Sequence, residues 1–182
     1  MSIRAILVRT HVHFLGAVSA GFVLILATVA PIWAAPIHIV AIGASSTAGM
    51  RVGVGAAYPA QLEAMLRAKG YDVTVQNEGV SGTTSLDMIG RAESVSSDTR
   101  LVLLQIAYSN DGKHGITAAQ TAANRNTIIQ QLRVRNIRVI LVDRHVSSDE
   151  LAMDGRHPNA SGQQTIATRL LPQVIAAIGS RR

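Results

Sequence analysis

The chain of 182 residues contains no cysteine. That excludes a disulfide framework, a thiolate metal site and a cysteine nucleophile, and leaves the compartment open. Aromatic residues are almost as scarce, at 3%, so a core must be built from Val, Ile, Leu, Ala and Met. Charged residues make up only 15% and hydrophobic ones 48%, which excludes disorder and permits a substantial core. The length suits one ordinary domain with a short appendage. The formal charge is +6; without Arg4 and Arg9 near the N-terminus, 15 basic residues face 11 acidic ones. There is no dense Lys/Arg run and no aromatic interleaving, so no nucleic-acid partner is expected.

What is present at the start reads as an address. Residues 1–35 carry a positive stretch (Arg4, Arg9), then an uncharged apolar run over 14–30, then small residues at Ala34 and Ala35. This is the pattern of a secretory signal peptide, with an uncleaved N-terminal anchor as the alternative. Either way the folded domain, residues 36–182, is expected in the periplasm or outside the cell, with membrane contact only through an uncleaved leader.

From Pro36 onward, β-branched runs alternate with helical periodicity. Strands are expected over 37–42, 71–75, 101–106 and 137–142, and helices over 58–69, 83–91, 117–135 and 160–178. Thr117 is placed to cap its helix. This alternation specifies an α/β fold with helices on both faces of a small, mostly parallel sheet. Ligands in such folds bind at the carboxyl ends of the strands, so the loops 43–49, 77–84, 107–115 and 143–157 are where chemistry should lie.

Those loops hold the parts of an acyl-transfer site: a nucleophile, a base, a group orienting the base, and oxyanion donors. The first offers Ser45, with Ser46 and Thr47 as competitors. The second offers the backbone N–H of Gly82, and the third the amide of Asn110. The fourth offers Asp154 and His157, whose spacing lets both side chains point into one pocket. A rival acid–base pair, Asp143 and His145, ends the fourth strand. His114 reads as surface, and no His cluster suggests a metal.

In this order the blocks resemble the SGNH (GDSL) serine hydrolases. Gly43-Ala44-Ser45-Ser46 stands where that family has Gly-Asp-Ser-Leu. Residues 77–84 (NEGVSGTT) are similar to its second block, Ala107-Tyr108-Ser109-Asn110-Asp111 to its Gly-x-Asn-Asp block, and 154–159 (DGRHPN) to its Asp-x-x-His-Pro block. The resemblance implies a three-layer, flavodoxin-like α/β/α fold without metal or organic cofactor. It makes Ser45 the nucleophile, His157 the base and Asp154 its orienting acid. Oxyanion donors would be Ser45 N–H, Gly82 N–H and the Asn110 amide. The look is closest to bacterial periplasmic acyl esterases, thioesterases and lysophospholipases, and a monomer acting on a small acyl ester or thioester is expected. A deacetylase of O-acetylated carbohydrate and a catalytically silent binding module are the alternatives.

Three departures stand out. Ala44 replaces the aspartate before the nucleophile, and Ser109 replaces a glycine. Only about forty residues separate Asn110 from Asp154, room for one helix and one strand. A trimmed sheet of about four strands is therefore expected, with the His157 loop leaving directly from the fourth.

Overall fold

The computed structural model describes residues 36–179; the leader expected over 1–35, and Arg181 and Arg182, lie outside the described residues. Four strands form one sheet: β1 (Ile37–Gly43), β2 (Val73–Gly79), β3 (Thr99–Leu104) and β4 (Arg138–Leu141), in the order β2-β1-β3-β4. Every neighbouring pair is parallel. The crossovers are helices α2 (Tyr58–Ala68), α3 (Ser85–Ser94) and α5 (Ala118–Arg133), and α6 (Ala160–Ile178) closes the domain. The expected three-layer α/β/α architecture with four strands is the observed one. Among the described residues no helix is long and apolar enough to cross a membrane.

Strand alternation builds two cores. Ile39, Ala41, Leu101 and Leu103 point to one face and pack on Tyr58, Leu62 and Leu66 of α2 and Ile166, Leu170 and Val174 of α6. Val40, Ile42, Val102 and Leu104 point to the other, against Met88 and Ala92 of α3 and Ile128 and Leu132 of α5. The apolar runs of β1 and β3 follow from this, because both strands are covered on both faces.

Helix starts obey local chemistry. Thr84 and Thr117 form reciprocal capping boxes with Asp87 and Gln120, and the Asn159 side chain accepts from Gly162 N–H at the head of α6. Strand β2 runs further than expected, through Gln76, Asn77 and Glu78. It lies at the sheet edge, where backbone pairing with β1 continues whatever the side chains are. Residues 107–115, expected as an open turn, contain a short helix, α4 (Tyr108–Lys113). Loop 43–49 likewise holds a four-residue helix, α1 (Ser45–Ala48).

Helix α1 sits directly on the carboxyl end of the sheet. A Cβ on Gly79 would lie 2.2 Å from the backbone nitrogen of Ala48, and one on Gly43 would lie 2.0 Å from Thr47 Oγ1. These two glycines therefore set how closely α1 approaches the strands. Gly79→Ala is expected to lower stability by about 1–3 kcal/mol through this overpacking. Gly90→Ala, mid-helix with open space around its Cβ position, is expected to raise it by about 0.5–1 kcal/mol. Urea unfolding of the two variants checks both signs.

Candidate active site

The nucleophile candidate is the first residue of α1, so its N–H has no acceptor within the helix. The turn around it is held from four directions. The Gln105 side chain, 4% exposed, accepts from Ala44 N–H and Thr47 Oγ1, each at 3.3 Å, and donates to the Ile106 carbonyl at 2.8 Å. Asn77 Nδ2 donates to the Thr47 carbonyl at 2.8 Å and Gln163 Nε2 to the Ser46 carbonyl at 3.0 Å. The Tyr58 hydroxyl lies 3.2 Å from Thr47 Oγ1, and burial pushes its pKa up. Each buried polar group in this seat thus has a partner, as burial requires.

This arrangement separates the three competing hydroxyls. Thr47 is fully buried and bonded inward, and Ser46 is 4% exposed. Ser45 Oγ instead lies 2.9 Å from His157 Nε2, across 112 residues of chain. The other ring nitrogen, Nδ1, lies 2.8 Å from Asp154 Oδ2. Nδ1–H donating to the carboxylate leaves Nε2 as an acceptor for the serine proton.

Asp154 is organised by its own loop. Its Oδ1 accepts from the backbone N–H groups of His157 (3.0 Å) and Arg156 (3.1 Å), and Oδ2 also accepts from Arg51 Nε at 2.8 Å. The His157 N–H, then the Arg51 guanidinium and the His157 ring, hold its carboxyl well below the usual carboxylate range. An antiparallel bridge between Leu151 and Pro158 closes the base of this hairpin-like loop.

Arg51 was invisible as a site residue in the sequence. It stands 103 positions from Asp154, and its backbone is left-handed, with φ of 75°. A non-glycine residue there carries strain of about 1–3 kcal/mol, more than an exposed ion pair commonly returns. Gln105, Asn77 and Gln163 were also missed, since their contacts with Ala44, Thr47 and Ser46 span 30 to 117 residues and leave no local sequence signature.

The expected oxyanion residues divide. Asn110 lies in α4 and lines a cavity of about 410 Å³ together with Ser45 and His157. One hydrogen of its amide goes to the Thr83 carbonyl at 2.8 Å, which leaves the other for the cavity. Neighbouring Asp111, 1% exposed, accepts from Ser85 N–H (2.7 Å) and Thr121 Oγ1 (2.6 Å), fixing α4 against α3 and α5. Gly82, with φ of 86°, sits in the exposed turn after β2, one residue before Thr83, and is not among the cavity's lining residues.

The rival pair is formed and lines the same cavity, but the ring at hydrogen-bond distance from Ser45 Oγ is that of His157, not His145. His145 Nδ1 is 2.5 Å from Asp143 Oδ1, with the His145 side chain 94% exposed against 13% for His157. Asp143 also pairs with Arg169 at 3.3 Å. His114 caps α4 at the surface.

With this geometry in view, the chain's relatives are informative. Residues 41–146 match the GDSL-like lipase/acylhydrolase family model, and the chain belongs to this SGNH/GDSL family of ester-hydrolysing serine hydrolases. The match ends before Asp154 and His157. Esterase TesA of Pseudomonas aeruginosa is 28% identical over 105 residues, 57% of this chain and 52% of TesA. The chain thus matches about half the length of that curated relative. A crystal structure of TesA is similar with a TM-score of 0.69 at 20% identity, covering 77% of this chain and 99% of that one. A catalytic mutant of an acetylxylan esterase from Geobacillus stearothermophilus is similar at 0.62 and 17%, covering 80% and 95%. These structural likenesses concern the fold.

The Arg51 contact makes a prediction. With a folded-state pKa below the unfolded value of about 3.9, Asp154 contributes stability above that pH. The contribution is lost as pH falls through its folded-state value. In Arg51→Gln that value rises, so the loss, which still begins near the unfolded value, is smaller and is complete at higher pH. Carboxyl NMR titration of Asp154 in both proteins measures the displacement, and coincident curves would show that Arg51 does not act on it.

Proposed function

We propose that this protein is an extracytoplasmic serine esterase that hydrolyses acyl esters or thioesters through Ser45, His157 and Asp154. The observation that supports it most is the unbroken line from Ser45 Oγ to His157 Nε2 (2.9 Å) and from His157 Nδ1 to Asp154 Oδ2 (2.8 Å). Ser45 Oγ attacks the acyl carbon while its proton passes to Nε2. The C–O or C–S bond then breaks as Nε2 returns that proton to the leaving atom. Water repeats the two steps on the acyl-enzyme and frees Ser45. Asp154, kept ionised by its donors, holds the ring tautomer and stabilises the imidazolium.

The Ser45 and Gly82 N–H groups and the free hydrogen of the Asn110 amide are the donors proposed for the tetrahedral oxyanion. Ile106, Ala107, Tyr108, Leu141 and Val142 supply an apolar wall beside Ser45 for the acyl group. The family's aspartate before the serine is Ala44 here. Gln105 and Asn77 hold the turn in its place, so its loss is compatible with catalysis. Residues 1–35 are proposed as the export signal on the strength of their charge and hydropathy pattern.

A fluorophosphonate probe is expected to label the wild type and not Ser45→Ala. Against p-nitrophenyl esters, Ser45→Ala and His157→Ala should lose at least about a thousandfold in kcat. Asn110→Ala should cost roughly 3 kcal/mol in the barrier, about a hundredfold. An unlabelled wild type would favour a silent binding module. Turnover confined to acetyl esters and acetylated sugar would favour a carbohydrate deacetylase.

A further inference from the structure

We propose that the Ser45 cavity selects esters whose leaving group carries an anion, a carboxylate or a phosphate monoester, held by Arg144 and Arg156. This rests on the hydrolase reading above and adds the chemistry of the departing half. Both arginines line the cavity that contains Ser45 and His157, and both are partly buried. Neither has an ion-pair partner among the described residues. Arg144 Nη1 donates to the Arg156 carbonyl at 3.3 Å, which links the end of β4 to the catalytic loop and leaves the rest of that guanidinium to the cavity.

The carboxylates nearby are already engaged. Asp143 takes His145 through both its backbone N–H and its ring, and Arg169 through its other oxygen. Asp154 takes Arg51, His157 and the Arg156 backbone N–H. The lining therefore contains two guanidiniums that no carboxylate among the described residues pairs with, beside Asp143, whose partner is Arg169. A planar guanidinium in a partly desolvated cleft matches a carboxylate or phosphate in geometry and charge.

The side of the scissile bond follows from the chemistry. His157 must return its proton to the leaving atom, so the leaving group departs on the side of the loop that bears His157. Arg156 is the residue before it, and Arg144 is tied to the same loop. The anion is a recognition group and is unchanged by the reaction; the acyl half faces the apolar wall.

Two matched substrate pairs test this, with acetyl as the common acyl group. The first is 4-acetoxybenzoate and its methyl ester; the second is acetylglycerol phosphate and acetylglycerol. The readout is the anionic-over-neutral ratio of kcat/KM, in wild type and in Arg144→Gln/Arg156→Gln. Each ratio cancels general damage, and comparing wild type with variant cancels intrinsic ester reactivity. The ratio is expected to fall about tenfold in the variant and to shrink in wild type with added salt. A fall in the first pair alone identifies a carboxylate, and in the second alone a phosphate. Equal ratios in wild type and variant for both pairs would overturn the proposal.

Calorimetric binding of the same four esters to Ser45→Ala keeps the two readings separate. Anion-selective binding there, with no turnover by wild type, would sink the hydrolase reading and leave the anion site standing. Equal binding of charged and neutral partners would count against the anion site whatever the turnover.

Discussion

The structure turns on how closely one four-residue helix approaches the end of a parallel sheet. Helix α1 must lie against β1 and β2 for Ser45 to face the cavity, and that approach puts backbone where side chains would normally be. Gly43 and Gly79 make the room. The carbonyls and hydroxyls pushed inward are then matched by Gln105, just past the end of β3, and by Asn77, Gln163 and Tyr58 of β2, α6 and α2. The sheet and the α2/α6 layer thus each contribute two groups to the seat of one serine. An unmatched member would cost about 1–3 kcal/mol of buried desolvation, so the network is specified as a whole rather than contact by contact.

The second half of the site is built differently. The loop from β4 to α6 is largely exposed and has its own turn chemistry, with Asp154 collecting donors from the backbone of Arg156 and His157, two and three positions on. Helix α6 anchors its far end through the Asn159 cap, and the Leu151–Pro158 bridge closes the near end. Ser45, seated by many hydrogen bonds, thus meets a histidine carried on a self-braced loop. The shortened chain is compatible with this, because the loop needs only the end of a strand and the head of a helix.

The fold was largely legible in the sequence because the signals that specify it are repetitive. The apolar runs of β1 and β3 and the periodicity of α2, α5 and α6 each spread over many residues; residues 160–178 were expected as a helix and are one. Single-residue geometry was less legible. Asn110-Asp111-Gly112 reads as a turn, yet Asp111 is buried between Ser85 and Thr121 and the segment winds into a helix around it. The polar end of β2 is set by pairing to β1, which side-chain alternation does not report. Ser45, Asn110, Asp154 and His157 could be named because the blocks that carry them resemble those of the SGNH family in order, each after a strand or before the last helix. Arg51 and Gln105 could not, since their roles exist only once distant segments meet.

Position 51 carries an evolutionary consequence. Its backbone occupies a basin that glycine enters freely, while its side chain pairs with the carboxylate that also holds His157. No single residue type satisfies both demands. Selection for heat resistance alone would drift toward glycine there, relaxing the chain and leaving Asp154 with one donor fewer. Arginine at this site therefore trades backbone ease for a donor to Asp154, and libraries screened only for thermal tolerance would select against it.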